Sequence, residues 1–313
     1  MIRLFDSAAF RVFMGCGALV ACGQDPVTAP VKAVEAAECA ASQVAIGSFV
    51  DVSAGRFVTG QSPLYREEVS SQTVHVAAFS IQAHEVTNAQ FAAFVAATGY
   101  VTEAETGATS DEPGAGSAVF VLPSERRAEK DGWMLLKGAT WTAPTGPGSD
   151  IAGLDDLPVV HVSMNDAAAY AQWAGGRLPT AIEVEYAANL GLPDPSDSAS
   201  SAYRADKTPI ANTWQGIFPM ANLETDGFEG AAPVGCFAPS RIGLYDLIGN
   251  VWEWTDTPYG VGTATIKGGS FLCADNFCRR YRPAARQPQD VDFSTNHIGF
   301  RVVKDLPDPG AGN

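Results

Sequence analysis

Cys273 and Cys278 are separated by four residues and are followed by a run of positive charge. Two thiols at this spacing can chelate a soft metal ion, carry out redox chemistry or join as a disulfide. The thiolate is the reactive and metal-binding form of cysteine, and nearby cations favour it. Arg279, Arg280 and Arg282 supply such cations. The cysteine pair is therefore the first candidate for a catalytic or metal centre.

The composition of the chain is that of a globular protein with many turns. Its 313 residues are 46% hydrophobic and 18% charged, with 31 glycines and 20 prolines. This is enough apolar material for a sizeable core, and the turn-forming residues predict modest regular secondary structure. The formal net charge of −15 repels a phosphate backbone, so we expect no nucleic-acid partner.

Local sequence signals predict the elements that must position the thiols. Three helices are predicted from capping residues: Asn88–Thr98 after Thr87, a helix to Ala174 after Ser163 or Asn165, and a helix to about Asn189 opened by Thr180 and Glu183. Five strands are predicted: Val44–Val52, Val74–Ile81, Val159–Ser163, Thr265–Leu272 and Ile298–Val303. Helices and strands do not alternate regularly, which predicts an irregular α+β fold with low regular secondary structure.

The N-terminus predicts export. Residues 1–22 read as a signal peptide, because an apolar run too short to span a bilayer ends in Leu-Val-Ala-Cys22, similar to a bacterial lipobox. Residues 23–38 read as a tether. We therefore expect an exported periplasmic or cell-surface lipoprotein, anchored in the membrane through lipid on Cys22. The alternatives are a plain secretory signal cleaved nearby or a misassigned start codon.

A single domain is predicted over residues 39–307, followed by a tail at 308–313. Its motifs, in this order, resemble those of the formylglycine-generating enzyme family, also called sulfatase-modifying factors. The matching motifs include Glu85-Val86-Thr87-Asn88, Arg177-Leu178-Pro179-Thr180, Asp226-Gly227-Phe228, Gly249-Asn250-Val251-Trp252-Glu253-Trp254, Gly268-Gly269-Ser270 and Ile298-Gly299-Phe300-Arg301. The resemblance implies that family's irregular fold, a relative of the C-type lectin fold.

The resemblance also implies a chemistry for the cysteine pair. Cys273 and Cys278 match residues that bind one Cu(I), a soft ion that accepts thiolates in low coordination number. Ser270 and Trp252 match active-site positions. The implied reaction uses O2 and a thiol reductant to oxidise a cysteine in a Cys-x-Pro-x-Arg segment of a sulfatase polypeptide to formylglycine. We expect the protein to act as a monomer.

Two calcium sites are implied by the same resemblance. Carboxylate, amide and carbonyl oxygens are the ligands that Ca²⁺ prefers. The first site would use Asn212, Asp226 and the carbonyls of Thr213 and Phe228; the second would use Asp246, Glu253 and the carbonyls of Gly249 and Val251.

Three departures from the family pattern bear on the target sequence. Ala274 and Phe277 stand where several relatives carry histidine and tyrosine, and His297 stands where others carry asparagine. One alternative function is a non-catalytic peptide- or glycan-binding module of the same fold. Another is a structural lipoprotein whose cysteine pair is a disulfide.

Two further cysteines, Cys39 and Cys236, remain outside the signal sequence and the pair. In an exported protein two such thiols suggest a disulfide. The sequence does not place them near each other, so both a disulfide and two free thiols stay open.

Overall fold

The computed structural model describes residue 39 and residues 45–68, 71–107, 116–125, 132–192 and 202–307. All of them belong to one compact unit, Glu35–Asn313. The predicted signal peptide at 1–22, the tether at 23–38 and the tail at 308–313 lie outside the described residues. Within the described ranges, no helix is both long enough and apolar enough to cross a membrane.

Four short α-helices form within the described ranges, and each begins with a reciprocal capping box. They are α1 Asn88–Thr98, α2 Glu103–Thr106, α3 Met164–Trp173 and α4 Ala181–Gly191. In each box the capping hydroxyl accepts from the third backbone amide of the helix, while that residue's side chain accepts from the capping amide. The predicted caps Thr87, Ser163 and Thr180 are confirmed; α2, capped by Thr102, was not predicted.

Thirteen short strands lie in the described ranges and form several small sheets. They are β1 Phe49–Val52, β2 Gly55–Val58, β3 Thr73–Val76, β4 Phe79–Gln82, β5 Gly116–Val121, β6 Gly132–Lys137, β7 Gly216–Ile217, β8 Ala221–Asn222, β9 Trp252–Gly260, β10 Thr263–Lys267, β11 Gln287–Asp290, β12 Ile298–Gly299 and β13 Val303–Asp305. The sheet orders are β1-β4-β13, β11-β10-β9-β12, β2-β3, β5-β6 and β7-β8. This irregular α+β architecture confirms the predicted fold class.

All five predicted strands differ from the structure in extent or type. The strand predicted over Val44–Val52 forms only at β1, and those predicted over Val74–Ile81 and Ile298–Val303 are each divided into two strands. Val159–Ser163 forms no strand, since His161 has a φ of 60° and breaks the extended conformation. The strand predicted over Thr265–Leu272 ends at Lys267. Two glycines with left-handed φ follow Lys267 and turn the chain out of the sheet.

The largest core cluster joins the helices to the sheet that carries the cysteine loop. Phe91 of α1 has ring contacts with Tyr170 of α3 and with Phe300, at centroid distances of 5.9 and 6.4 Å. Cys273 and Cys278 belong to the same cluster. The cysteine pair is therefore held by the main core and not by a peripheral loop.

Candidate active site

A double-glycine turn places the cysteine loop. Gly268 and Gly269 have φ values of 93° and 78°, a region that L side chains rarely adopt. A Cβ on Gly269 would also lie 3.0 Å from backbone atoms of Tyr281. Ser270 follows, and its carbonyl accepts a hydrogen bond of 2.9 Å from the amide of Cys273. The turn therefore requires glycine, and it brings Ser270 close to Cys273.

The two predicted thiols lie together. Their Sγ atoms are 3.1 Å apart, and both side chains are buried. A disulfide would bring the sulfurs to about 2.05 Å, so these are two separate thiols. At this distance the two thiols can bind the same metal ion or form a hydrogen bond with each other. On oxidation they can form a disulfide.

The two thiols have different acidities. The hydrogen bond from Cys273 and the nearby guanidinium of Arg280 lower the pKa of Cys278 to about 6, against the opposing effect of burial. Burial and the adjacent Cys278 raise the pKa of Cys273 well above its ordinary value. Near neutral pH the pair therefore carries one proton, with Cys273 donating to a Cys278 thiolate.

Arg280 is held beside Cys278 by a distant segment of the chain. Its Nη1 lies 3.9 Å from the sulfur of Cys278, and its Nη2 donates to Oε1 of Glu67 at 2.6 Å. The guanidinium also lies 4.0 Å from the ring centroid of Tyr65. Sequence reasoning missed Glu67 and Tyr65, because more than 200 positions separate them from Arg280 and no local pattern links them.

A cleft of about 560 Å³ opens onto the pair. The four predicted catalytic residues, Cys273, Cys278, Ser270 and Trp252, all line it. Its other lining residues are Ala118, Trp133, Met134, Leu135, Phe218, Leu272, Phe277, Arg280, Gln287, Gln289, Phe293, Thr295 and His297. The space is large enough for several side chains of a polypeptide.

His297 contributes a neutral polar group to this cleft. Its Nδ1 lies 2.6 Å from the hydroxyl of Thr295, and its ring lies 4.7 Å from that of Trp133. Burial lowers the pKa of His297 to about 3, so the ring stays uncharged at neutral pH. Ala274 and Phe277 also differ from the residues that several relatives carry. Ala274 is fully buried, whereas Phe277 is exposed and lines the cleft.

The residues predicted for the first calcium site lie together. Oδ2 of Asp226 accepts from the amide of Thr213 at 3.2 Å, and Oδ1 accepts from the amide of Phe228 at 3.0 Å. Oδ1 of Asn212 is buried without a hydrogen-bond partner. Burial raises the pKa of Asp226. A buried oxygen without a donor and a desolvated carboxyl group are consistent with a cation ligand set.

The second predicted site is occupied in part by an ion pair. Glu253 accepts from Nε and Nη2 of Arg301, both at 2.6 Å, and both side chains are buried. Burial raises the pKa of Asp246 to about 6, and its Oδ2 accepts from the amide of Gly235 at 2.7 Å. Across the described ranges no group of three or more His, Cys, Asp or Glu side chains is arranged to hold a metal. Each calcium site would therefore need carbonyl or amide oxygens.

Cys39 and Cys236 form a disulfide. The structure thus decides the question that the sequence left open. Among the described residues this leaves Cys273 and Cys278 as the free thiols.

The described residues combine an irregular α+β fold with a buried thiol pair that faces an open cleft. The family described as the sulfatase-modifying factor enzyme 1-like domain matches residues 35–306, and the chain belongs to this family. Formylglycine-generating enzyme from Mycobacterium tuberculosis is 44% identical over 295 residues, covering 82% of this chain and 97% of the relative. The enzyme of the same name from Thermomonospora curvata is 44% identical over 264 residues, covering 75% and 84%.

A solved structure shows the same fold at lower similarity. PvdO from Pseudomonas aeruginosa superposes with a TM-score of 0.54 and 22% identity, covering 82% of this chain and 94% of PvdO. At this identity the likeness shows the fold alone.

Proposed function

We propose that this protein oxidises a cysteine in a Cys-x-Pro-x-Arg segment of a sulfatase to formylglycine. The observation that carries the proposal is the convergence of Cys273, Cys278, Ser270 and Trp252 on one open cleft. Family membership and the 44% identity to formylglycine-generating enzymes support it. In the balanced reaction, cysteine, O2 and two reductant thiols give the aldehyde, hydrogen sulfide, a disulfide and water. O2 takes two electrons from the cysteine carbon and two from the thiols.

The donor set fits Cu(I). Two thiols at one cleft wall, one of them with a lowered pKa, are ligands of the kind that a soft monovalent ion prefers. Copper bound by Cys273 and Cys278 would supply the one-electron chemistry that O2 reduction needs. No other pair of free thiols exists among the described residues.

The chain's own residues would prepare the site around that centre. Arg280, held by Glu67, keeps a positive charge beside Cys278 and favours its thiolate. The hydroxyl of Ser270 is buried in the cleft wall and can donate to a sulfur or oxygen atom. Trp252 belongs to β9, whose pairing with β12 fixes the indole against the cleft. The neutral ring of His297 offers a hydrogen bond without adding charge.

The test is conversion of a peptide. Purified protein would be incubated with Cu(I), O2, a thiol reductant and a Cys-x-Pro-x-Arg peptide. The expected product has the mass change from CH2SH to CHO at the peptide cysteine, and the protein should bind one Cu(I). Cys273→Ser and Cys278→Ser should each abolish tight copper binding and conversion.

A matched control removes the other cysteine pair. The Cys39→Ser/Cys236→Ser double variant should still bind one Cu(I), because its thiols lie outside the cleft. A non-catalytic binding module would instead bind the peptide and leave its mass unchanged. Unchanged copper affinity in both Cys273→Ser and Cys278→Ser would remove the proposed centre.

Calcium at two sites is part of the proposal. Asn212, Thr213, Asp226 and Phe228 would hold one ion, supported by the unpartnered Asn212 oxygen. Asp246, Gly249, Val251 and Glu253 would hold the other, alongside the Arg301 pair. Small sheets and long loops would gain stability from ions that bind only the folded state.

We also propose export and membrane attachment through Cys22, with the protein acting as a monomer. The support is the short apolar run ending in Leu-Val-Ala-Cys22 and the disulfide at Cys39, since disulfides persist in oxidising compartments. The reductant would be a thiol.

A further inference from the structure

Thr295 and His297 form a hydrogen-bonded pair in the wall of the cleft. Both residues are buried, and both line the cleft onto which the two thiols open. The hydroxyl of Thr295 lies 2.6 Å from Nδ1 of His297. The same hydroxyl oxygen accepts a hydrogen bond of 3.3 Å from the backbone amide of His297. The side chain of Thr295 therefore contacts His297 at both its ring and its main chain.

The number of available hydrogens decides which of the two side chains donates. A hydroxyl group has one hydrogen to donate, and a neutral imidazole has one N–H donor and one acceptor nitrogen. Within the described ranges, Nδ1 of His297 is the acceptor that the Thr295 hydroxyl can reach. If Nδ1 carried the ring proton, the hydroxyl hydrogen would be buried without an acceptor, which is unfavourable. The hydroxyl therefore donates to Nδ1, and the proton of the ring lies on Nε2.

Nε2 of His297 is open to the cleft. It makes no hydrogen bond within the described ranges, and it is not one of the polar atoms that are enclosed there without a partner. Because His297 lines the cleft, this accessible nitrogen faces the space beside the thiols. The ring is uncharged at neutral pH. The cleft wall thus presents an N–H donor that adds no positive charge.

The main chain around the pair is held by two different strands. The amide of Asn296 donates to the carbonyl of Ala118 on β5 at 3.0 Å. The side chain of Asn296 also exchanges hydrogen bonds of 3.0 and 3.1 Å with the backbone of Phe120. The carbonyl of His297 accepts from the amide of Trp252 on β9 at 2.9 Å. These contacts fix the hydroxyl and the ring relative to each other.

We propose that Thr295 is a positioning residue that fixes His297 as a hydrogen-bond donor toward the cleft. The acceptor would be an oxygen atom of a bound substrate, and this part of the inference rests on the proposed function. His297 would not accept a proton in the cleft, because Thr295 occupies the remaining lone pair of its ring. The asparagine that other members of the family carry at this position has an amide that can both donate and accept. The Thr295–His297 pair presents the donor alone.

Nitrogen NMR of the reduced full-length protein, labelled with ¹⁵N-histidine, reads the position of the ring proton. The chemical shifts and couplings of the two ring nitrogens distinguish the protonated one from the unprotonated one. The chain has four histidines, and the signals that disappear in His297→Gln would be assigned to His297. At pH 7 the wild-type ring should carry its proton on Nε2.

Three substitutions test the role of the hydroxyl. Thr295→Val removes it with little change in shape, so the signals of His297 should move toward a mixture of both tautomers. Thr295→Ser keeps a hydroxyl and should retain the Nε2–H tautomer. Thr265→Val is the matched control, since Thr265 is buried and its hydroxyl has no hydrogen-bond partner within the described ranges. It should leave the signals of His297 unchanged.

Peptide conversion measures the consequence for the reaction. Thr295→Val should lower kcat/KM about two- to tenfold, as expected for the loss of one hydrogen bond. Thr295→Ser should recover most of this loss, and Thr265→Val should convert the peptide as the wild type does. If Thr295→Val does not fold, the spectra of the wild type and Thr295→Ser still show which nitrogen carries the proton.

Two outcomes would overturn the positioning role. One is a wild-type ring whose proton lies on Nδ1, and the other is an Nε2–H tautomer that persists unchanged in Thr295→Val. Equal kcat/KM in the wild type and Thr295→Val would overturn the role of the donor in the reaction. A protein that never converts the peptide would contradict the proposed function alone, because the NMR measurement requires neither copper nor turnover.

Discussion

At the scale of single residues, the chemistry depends on the unequal acidity of two adjacent thiols. Cys278 gains a hydrogen bond from Cys273 and a cation from Arg280, while Cys273 is deeper and carries the shared proton. The sequence predicted the pair and its cationic neighbours. It could not predict that Glu67 and Tyr65 hold Arg280 in place, because a fold-level contact across more than 200 positions leaves no local signal.

The first prediction concerns the alkylation of reduced, metal-free protein. Because the pKa of Cys278 is lowered to about 6, its reaction with iodoacetamide should be near maximal at pH 7.5 and fall as the pH drops through 6. Cys273, whose pKa is raised, should react far more slowly at every one of these pH values. Mass spectrometry of the digested protein would give the rate at each cysteine.

Arg280→Gln provides the comparison for this measurement. Removing the guanidinium should move the midpoint of Cys278 reactivity to higher pH, since a nearby cation favours the thiolate. Arg241→Gln removes a charge from outside the cleft and should leave the midpoint in place. Equal reactivity of both cysteines, with a common midpoint near the ordinary thiol value, would contradict the assignment.

At the scale of elements, local capping signals predicted three of the four α-helices in the described ranges and missed α2, whose Thr102–Glu105 capping box is equally local. The capping boxes of α1, α3 and α4 close within four residues, so their starting points could be predicted. Strand extents could not, because pairing joins distant segments: β4 lies between β1 and β13. The turn at Gly268 and Gly269 ends β10 early, and at Gly269 the backbone of Tyr281 comes too close for a Cβ.

The second prediction separates calcium binding from the buried ion pair on β9. Calcium should raise the melting temperature of the wild type above its value in chelator, and Asp226→Asn should shrink that difference. Glu253→Gln should lower the free energy of unfolding by about 3–5 kcal/mol, because it leaves Arg301 buried without its partner. The melting temperature should therefore fall both in calcium and in chelator. Differential scanning fluorimetry in calcium and in chelator would measure both effects.

The control for calcium is a carboxylate outside both proposed sites. Asp51→Asn, on the exposed side of β1, should change neither the melting temperature nor its calcium dependence appreciably. A wild-type melting temperature that does not respond to chelator would remove both calcium sites. It would leave the expected cost of Glu253→Gln unchanged, since that cost comes from the ion pair.

At the scale of the whole molecule, a disulfide joins two cysteines that are far apart in the sequence. Cys39 is joined to Cys236 across 197 positions, which restricts the unfolded chain and favours the folded one. The sequence raised this pairing but could not decide it, since only the fold brings the two residues together.

The last prediction concerns attachment to a membrane. If Cys22 carries lipid, residues 23–38 allow the disulfide at Cys39 to lie at most about 60 Å from the bilayer. A single acyl chain binds weakly, but the several chains of a bacterial lipoprotein anchor firmly. The wild type should therefore sediment with membranes, and Cys22→Ser should be released or remain unprocessed. Both forms should bind one Cu(I), because the thiol pair lies in a cleft that residues 118–297 line. A wild type recovered wholly in the soluble fraction, with an N-terminus other than Cys22, would contradict the anchor and leave the proposed oxidation of sulfatases intact.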